Sequence, residues 1–465
     1  MTLMTTLRPL LPLATLLALL FCLAPAARAG WAEDALTKEA NYISDASFSE
    51  AATHHTDVTL QAAGYGAIND VRVDQSGPDW VQPQEAALAA IGLMSAARQL
   101  KVAHRDTARY DAILSRFFET WLLANRQGTD VDRHDPDYGA FARRVFYDKM
   151  GHWQRDDGYN TGTTGMMVIA LWKYGEYLGA TRRAGDAARW RRLAWPLAKL
   201  SGDFLSRRLN PTYHLVGSSA ATRDLWTADS VYAADALRCL GRWAKATGQK
   251  PPYSYDTLAA QLTNGIQAMR DNGPTPGFFK YRDSHVGYKP TYGDSLDQLA
   301  FLPYEADALP PLDPFVRQIS DGWTNGAGGI RMTAQTDNPR DWRFWGVHWH
   351  HYFAPRPENA YLYPGPGLQI AAMEWKAGRA LHDPTLLDRA RRRYEWANKA
   401  EYANLWLGTG SHLEANVGNG LVDWRDADRY AHKAEEWQRF VDTSAYFIGM
   451  TLRICYSRDT RLVPE

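Results

Sequence analysis

The stretch TGMMVIALWKYG (164–175) is apolar or small on nearly every face of a helix, a pattern typical of a helix buried on all sides. Five further stretches of this kind lie at 86–97, 230–241, 295–304, 367–378 and 444–454. Amphipathic segments with one strongly charged face alternate with them, at 105–127, 186–209 and 383–407. The alternation predicts buried helices surrounded by a layer of surface helices.

The buried segments recur with a regular period. They begin near residues 83, 162, 229, 294, 365 and 442, a spacing of roughly 65–80 residues, which is about one helical hairpin with its loops. We therefore predict an all-α fold, an (α/α)6 toroid of six helical hairpins, in which residues 30–465 form a single domain. The last inner helix leaves no room for an outer partner, so we expect the N-terminal helix, within 31–48, to close the ring. An open α-solenoid, the alternative, does not need that pairing.

The N-terminus has the pattern of a secretory signal peptide. Arg8 precedes a Leu/Ala-rich apolar run, and Ala27-Arg28-Ala29 is a small-x-small site of the kind that signal peptidase cuts after. The run is too short for a comfortable bilayer span. We expect residues 1–29 to be removed near Ala29–Gly30 and the mature protein to be periplasmic or secreted.

Charge and cysteine content bear on the partners and the disulfide bonds that we expect. The chain has 52 basic and 52 acidic residues, and removal of Arg8 and Arg28 leaves 50 against 52. This balance gives no reason to expect nucleic acid or anionic lipid as a partner, and we expect no membrane span in the mature chain. Cys239 and Cys455 fall on opposite inner helices, so we expect both to be buried and without a disulfide bond.

The segments before the inner helices share a composition of acids and aromatic rings. Each of the six, at 73–85, 153–165, 221–230, 288–297, 356–367 and 434–444, has at least one carboxylate and one Trp or Tyr. Since the inner helices of a toroid point the same way, these segments should converge on one mouth. An Asp before a helix is also an ordinary cap, which remains the alternative for any single acid. Segments such as RDD (155–157) and EEW (435–437) contain more acids than a cap uses.

This combination suits carbohydrate chemistry. Trp and Tyr stack on the apolar faces of sugar rings, while carboxylates, Arg, His and Asn bind their hydroxyls. Glycosidic cleavage requires one carboxylic acid that protonates the leaving oxygen and a second carboxylate that activates water or attacks the sugar. Apolar neighbours would help the acid to keep its proton near neutral pH.

In these features the chain resembles the six-hairpin glycosidase superfamily, over nearly all of the mature sequence. The segment DLWTADSVYAADAL (224–237) is similar to the acidic and aromatic approach to an inner helix that several of its families use. The resemblance implies a hydrolase that inverts the anomeric configuration. The same toroid also occurs in polysaccharide lyases and sugar epimerases, so the fold leaves the reaction open.

The catalytic pair is expected among six carboxylates, Asp157, Asp229, Asp224, Asp294, Glu358 and Glu436. Asp157 and Asp229 lead this set. The neighbouring Asp156 would raise one pKa by repulsion, and Asp229 follows the acidic and aromatic step DLW. The residues expected to bind substrate are Arg72, Asp74, Trp80, Trp226, Tyr292, Trp345, His348, His350, Tyr363 and Trp437.

An aromatic stretch, WRFWGVHWHHYF (342–353), lies in a long non-periodic loop at about 323–363. Three roles are open: a metal site at its histidines, a small core that packs the loop onto the barrel, and a wall of the substrate cleft. The histidines lack the spaced carboxylate or Cys partners of a typical zinc site, so we expect no metal and no cofactor. We favour the cleft wall, which is compatible with packing.

The leading hypothesis is a glycoside hydrolase acting on a polysaccharide or oligosaccharide. A polysaccharide lyase is the first alternative, because a base and carboxylate-binding groups could come from Tyr352, His350, Asn359, Tyr361 and Arg343. The second alternative is a carbohydrate-binding accessory protein of polysaccharide export without catalytic turnover.

Overall fold

A computed structural model of the chain describes residues 30–47, 65–68, 80–124, 132–147, 153–181, 184–218, 225–270, 280–283, 287–290, 309, 315–325, 347–350, 360–397, 415–416, 437–438 and 441–458.

The described chain is mainly helical. Its helices are α1 (30–45), α2 (Pro83–Val102), α3 (Ala108–Ser115), α4 (Thr161–Thr181), α5 (Ala184–Arg208), α6 (Thr227–Thr247), α7 (Tyr255–Ala268), α8 (Phe315–Asn325), α9 (Pro364–Leu381), α10 (Pro384–Ala397) and α11 (Val441–Tyr456). A π-helical turn, Arg116–Ala124, continues α3. The inner helices α2, α4, α6, α9 and α11 begin within two residues of the predicted starts. The fourth inner helix, predicted to begin near residue 294, lies outside the described residues.

Small residues let the inner helices approach one another closely. All residues of α4 from Thr161 to Trp172 are buried, as its all-round apolar pattern predicts. A Cβ at Gly165 would stand 2.7 Å from the backbone carbon of Tyr232 in α6. One turn earlier, Gly162 touches Asp229, so α4 and α6 run parallel with their N-termini at the same end.

The ring closes between the two ends of the chain. The last inner helix, α11, packs on the first, α2, and a Cβ at Gly92 would stand 2.7 Å from the Cα of Ala445. Helix α1 completes the outer layer: Trp31 makes an edge contact with Tyr394 of α10, and the Tyr110 hydroxyl of α3 donates to Asn41 at 2.9 Å. The predicted toroid and its closure by the N-terminal helix are confirmed, which excludes the open solenoid.

Several inner helices end in the same left-handed turn. After α2, His104 has φ 58°, its N–H donates to Lys101 O, and the Arg105 N–H donates to Leu100 O, which together make a Schellman motif. Gly248 after α6 and His382 after α9 occupy the equivalent position, with φ 67° and 54°. These turns carry the chain outward to the next outer helix.

Short strands precede the inner helices, and the sequence pattern did not predict them. The strands are β1 (Trp80–Val81), β2 (Phe141–Tyr147), β3 (Trp153–Asn160), β4 (Lys280–Asp283), β5 (Gly287–Pro290), β6 (Val347–His350), β7 (Ala360–Tyr363), β8 (Ala415–Asn416) and β9 (Trp437–Gln438). They form an antiparallel sheet β1-β2-β3 and three two-stranded antiparallel sheets, β4-β5, β6-β7 and β8-β9. Most of these strands have two to four residues, too few for an alternating pattern to stand out in the sequence. The two longer ones, FARRVFY (141–147) and WQRDDGYN (153–160), do not alternate between apolar and polar residues.

Cys239 and Cys455 differ in environment. Cys239 is buried in α6 as predicted, and it is not disulfide-bonded to Cys455. The prediction that Cys455 is buried was wrong, because this residue lies in the last turn of α11, beyond the buried stretch that ends at Arg453. Among the helices described, none has the length and apolar content needed to cross a bilayer.

Candidate active site

The N-termini of α2, α4 and α6 meet at one end of the toroid and are tied together by hydrogen bonds. At the start of α4, the Thr161 N–H donates to Ser218 O at 2.8 Å and its hydroxyl donates to Gly217 O at 2.6 Å, which anchors the segment that leads to α6. The Thr163 hydroxyl reaches Gln84 in the first turn of α2, at 3.5 Å. Hydrogen bonds therefore join the starts of α2 and α4 and the segment before α6, at the mouth that the acidic and aromatic segments were predicted to line.

Asp229 lies in the first turn of α6 and is only partly exposed. Trp226, also partly exposed, occupies the N-cap position of this helix but makes no capping hydrogen bond through its side chain. The Asp229 carboxylate points across to α4 and accepts a hydrogen bond from the backbone N–H of Gly162. Glycine is required there, because a Cβ at position 162 would overlap Asp229 Oδ1.

Burial gives Asp229 a pKa suited to a general acid. Desolvation raises the pKa of Asp229 from its ordinary 3.8 to about 7. The positive charge of Arg143 and the hydrogen bond from Gly162 oppose this effect in part, since both favour the carboxylate. Near neutral pH this carboxyl exists in both forms, which is what proton transfer to and from a substrate requires.

The first turn of α4 is held rigidly around Gly162. The Asn160 side-chain oxygen accepts from the Thr163 N–H at 2.8 Å, as an N-cap. The Thr164 hydroxyl donates to Asn160 O at 2.7 Å and accepts from the Phe141 N–H at 2.9 Å. These bonds fix the Gly162 amide relative to strand β2, on which Arg143 lies.

A β-bulge lies between strands β2 and β3 beside the site. The ladder pairs Ala142 with Tyr159 and then Arg144 with Asp156, so Arg143 alone lies opposite the two residues Asp157 and Gly158. Gly158 has φ 75°, and glycine is the residue that adopts this left-handed conformation most easily. Arg143, whose charge acts on Asp229, therefore also lies opposite the backbone of Asp157. The Arg143 side chain is exposed.

Other predicted residues lie in strands at the approaches to the inner helices. Trp80 pairs with Phe146, which ties the approach to α2 to the hairpin before α4. Trp437 pairs with Asn416. In the β6-β7 hairpin, His348 pairs with Leu362 and His350 with Ala360, and Tyr363 precedes α9 directly. The aromatic stretch therefore contains a strand. For these residues and Asp157 the structure gives backbone positions only.

The remaining predicted residues lie outside the described part of the chain. They are Asp224, Asp294, Glu358, Glu436, Arg72, Asp74, Tyr292 and Trp345. Within the described residues, no group of three His, Cys, Asp or Glu side chains is placed to hold a metal ion.

Sequence reasoning missed Arg143, Gly162 and Asn160. Gly162 and Asn160 lie in the Gly-rich segment DGYNTGTTG (157–165), where the excess of glycine was a usable signal for close approach of backbone and side chain. Arg143 stands in an ordinary strand sequence, FARRVFY (141–147), which carries no such signal.

Comparison with known proteins supports the architecture. No protein-family model and no curated protein matches the chain. A glucoamylase structure from Hormoconis resinae has a TM-score of 0.58 at 12% identity, covering 94% of this chain and 75% of that one. A family 76 glycoside hydrolase from a bovine Bacteroides thetaiotaomicron strain has a TM-score of 0.52 at 10% identity, covering 92% and 78%. A structure described as a wild-type glycosidase has 0.50 at 17%, covering 94% and 98%. At these identities the likeness shows the fold.

Proposed function

We propose that this chain, which has the (α/α)6 toroid of the six-hairpin glycosidases, is a glycoside hydrolase acting on a polysaccharide or oligosaccharide, with Asp229 as its general acid. One observation carries the proposal. Asp229 is a carboxyl at the mouth of the toroid, and burial raises its pKa to about 7.

The proposed reaction uses Asp229 as the proton donor. The proton on its carboxyl passes to the glycosidic oxygen as the bond between that oxygen and the anomeric carbon breaks. Water adds to the anomeric carbon, and a second carboxylate accepts the proton that this water gives up. Asp157 is our candidate for the second carboxylate, because its backbone lies opposite Arg143, whose charge also acts on Asp229.

We further propose that the reaction inverts the anomeric configuration. Inversion requires room for a water molecule between the two carboxyl groups, at a separation of about 6.5–9.5 Å. An acid on an inner helix and a base on a separate hairpin suit such a separation better than two acids on one turn.

The cellular location is part of the proposal. The basic residue, apolar run and small-x-small site within 1–29 favour export to the periplasm or the medium, with 30–465 as one mature domain. A polymeric sugar too large to enter a cell is a sensible substrate for an exported hydrolase.

A polysaccharide lyase is the second candidate. The β6-β7 ladder pairs Trp349 with Tyr361 and His350 with Ala360, so His350 and Tyr361 occupy neighbouring positions of one hairpin. A β-elimination needs a base of one of these types. The other residues of the lyase hypothesis, Arg343, Tyr352 and Asn359, lie outside the described residues.

The test is a panel of neutral, amino and uronic polysaccharides incubated with the purified mature protein. New reducing ends and the ultraviolet absorbance of unsaturated uronates are followed together. We expect reducing ends without absorbance, and a loss of about 10²-fold or more in Asp229→Asn, the range of general acid catalysis. Asp186→Asn, which changes an exposed acid in the first turn of outer helix α5, is the control and should keep full activity.

The other outcomes are distinct. Full activity in Asp229→Asn removes this residue from the mechanism. A rise in both signals establishes the lyase and moves attention to His350 and Tyr361. If neither signal rises on a sugar that the protein binds, the remaining hypothesis is a carbohydrate-binding accessory protein without catalytic turnover.

A further inference from the structure

We propose that the backbone amide of Gly162 and the guanidinium of Arg143 are a paired receptor for the carboxylate that Asp229 becomes when it gives up its proton. Both would be positioning residues, since they act on the substrate through Asp229. The inference rests on the proposed role of Asp229 as the acid.

The Gly162 amide is the part of this receptor fixed by the fold. In the first turn of α4, the Thr161 N–H is taken by Ser218 O and the Thr163 N–H by the Asn160 side chain. The Gly162 N–H lies between them and donates to Asp229. The positive end of the α4 dipole points the same way, which adds to the attraction for a negative charge. Because a Cβ at 162 would overlap Asp229 Oδ1, any other residue would push the carboxylate off this amide.

Arg143 supplies the charge of the receptor. Among the described residues, it is the charged group whose field acts on Asp229. It lies on β2 opposite the bulged residues Asp157 and Gly158 of β3. The bonds of the Thr164 hydroxyl to Phe141 N–H and Asn160 O hold this strand against the first turn of α4. The Arg143 side chain is exposed to solvent.

The receptor answers a problem set by the burial of Asp229. When the acid donates its proton, its O–H bond breaks, an O–H bond forms on the leaving group, and a negative charge remains on a desolvated carboxyl. An isolated charge of this kind is costly away from water. A hydrogen bond and a cation already in place stabilise the charge as it forms and require no rearrangement. A proton from solvent then restores the acid.

The experiment measures the titration of Asp229 directly, with no substrate present. Infrared difference spectra of each variant against the same variant with Asp229→Asn follow the protonated carboxyl across pH. Gly162→Ala removes the amide contact, and Gly179→Ala, on the same helix at an exposed site with ordinary contact to Ala187, is its control. Arg143→Gln removes the charge, with exposed Arg133→Gln as control.

We expect the Asp229 midpoint to rise in both Gly162→Ala and Arg143→Gln, by about one pH unit each, and to stay in place in both controls. Where a substrate is cleaved, kcat should fall about tenfold or more in these two variants while KM changes little. The high-pH limb of the pH–rate profile should move to higher pH, together with the Asp229 midpoint. Midpoints that match wild type in both variants would overturn the receptor. If Gly162→Ala does not fold, Arg143→Gln alone decides. Arg143→Lys keeps the positive charge, so its midpoint should stay close to that of wild type.

This design separates the two proposals. Shifted midpoints in a protein that cleaves no sugar would support the receptor and contradict the hydrolase. Sugar cleavage that depends on Asp229, with unshifted midpoints, would support the hydrolase and contradict the receptor.

Discussion

The carboxylate of Asp229 accepts a hydrogen bond from the backbone N–H of Gly162, so an acid on inner helix α6 caps the neighbouring inner helix α4. A cap of this kind is usually ionised and exposed. Here burial works against the charge and raises the pKa of Asp229 to about 7. The contact therefore has two roles that compete, one in the packing of the ring and one in the chemistry of the mouth.

This competition predicts an unusual pH dependence of stability for Asp229→Asn. The folded state holds the Asp229 proton up to a pH of about 7, whereas the unfolded chain releases it near 3.8. The contribution to the free energy of unfolding is thus fully present below about pH 4 and is lost as the pH rises through about 7. Asparagine keeps an oxygen for the Gly162 N–H and carries no charge.

We expect Asp229→Asn to gain stability relative to wild type between about pH 5 and about pH 8, by roughly 2 to 3 kcal/mol. Urea unfolding at both pH values measures the gain, and exposed Asp186→Asn should show none. A variant that is destabilised equally at both pH values would mean that Asp229 acts as a cap whose charge is of no consequence.

The closure of the ring makes a second prediction, at Gly92. A Cβ there would stand 2.7 Å from both the Cα and the Cβ of Ala445, so α2 and α11 would have to move apart. We expect Gly92→Ala to lower the free energy of unfolding by about 1–3 kcal/mol, the range for overpacked cores. Gly179→Ala adds the same methyl group to a helix with room for it, and should be neutral or slightly stabilising. Equal stability of the two variants would argue against close contact between the first and last inner helices.

The sequence predicted the helical ring well because its signal is long and repeated. Segments such as 164–175 are apolar over three turns, and six of them at a regular spacing leave few alternatives. The closing role of α1 followed from counting partners, which depends on chain order alone. The same reasoning gave helix starts at Thr161 and Thr227 within two residues.

The site was less predictable because its contacts join residues far apart in the chain. Nothing local to Asp229 indicates that its partner is a backbone amide at Gly162, or that the charge of Arg143 on a neighbouring strand acts on it. The composition of the segments identified Asp229 as a leading acid. Its pKa and its partners follow from the packing of α4 against α6, which a sequence pattern does not contain.

A buried ion pair in the fifth hairpin makes a third prediction. Arg393 of α10 donates two hydrogen bonds to Glu374 of α9, at 2.9 and 3.1 Å, and both side chains are at most 1% exposed. The Ser320 hydroxyl of α8 donates to the same carboxylate at 2.7 Å. Arg393→Met would leave a buried carboxylate without its cation, and we expect a loss of about 3–5 kcal/mol.

The matched control is the double variant Glu374→Leu, Arg393→Met, which removes both charges. It should recover much of the loss, because two apolar residues of similar volume replace a pair whose desolvation is costly. A double-mutant cycle by urea unfolding gives the coupling energy. Losses that simply add would show that the two side chains do not depend on each other.

The left-handed turns after the inner helices give the fourth prediction, in which two substitutions should stabilise the protein. His104 and His382 are exposed and have φ 58° and 54°, a region that costs a residue with a Cβ about 1 kcal/mol or more. Glycine removes that cost, although its greater freedom in the unfolded chain offsets part of the gain. We expect His104→Gly and His382→Gly each to raise the free energy of unfolding by about 0.5–1 kcal/mol.

The reverse change tests the same cause. Gly248 follows α6 with φ 67°, and a Cβ there would have nothing within 4 Å. We therefore expect Gly248→Ala to lower the free energy of unfolding by about 1 kcal/mol through backbone strain alone. The two His→Gly variants remove strain from a left-handed turn, and Gly248→Ala introduces it. If all three variants changed the free energy of unfolding in the same direction, the left-handed conformation would not be the cause.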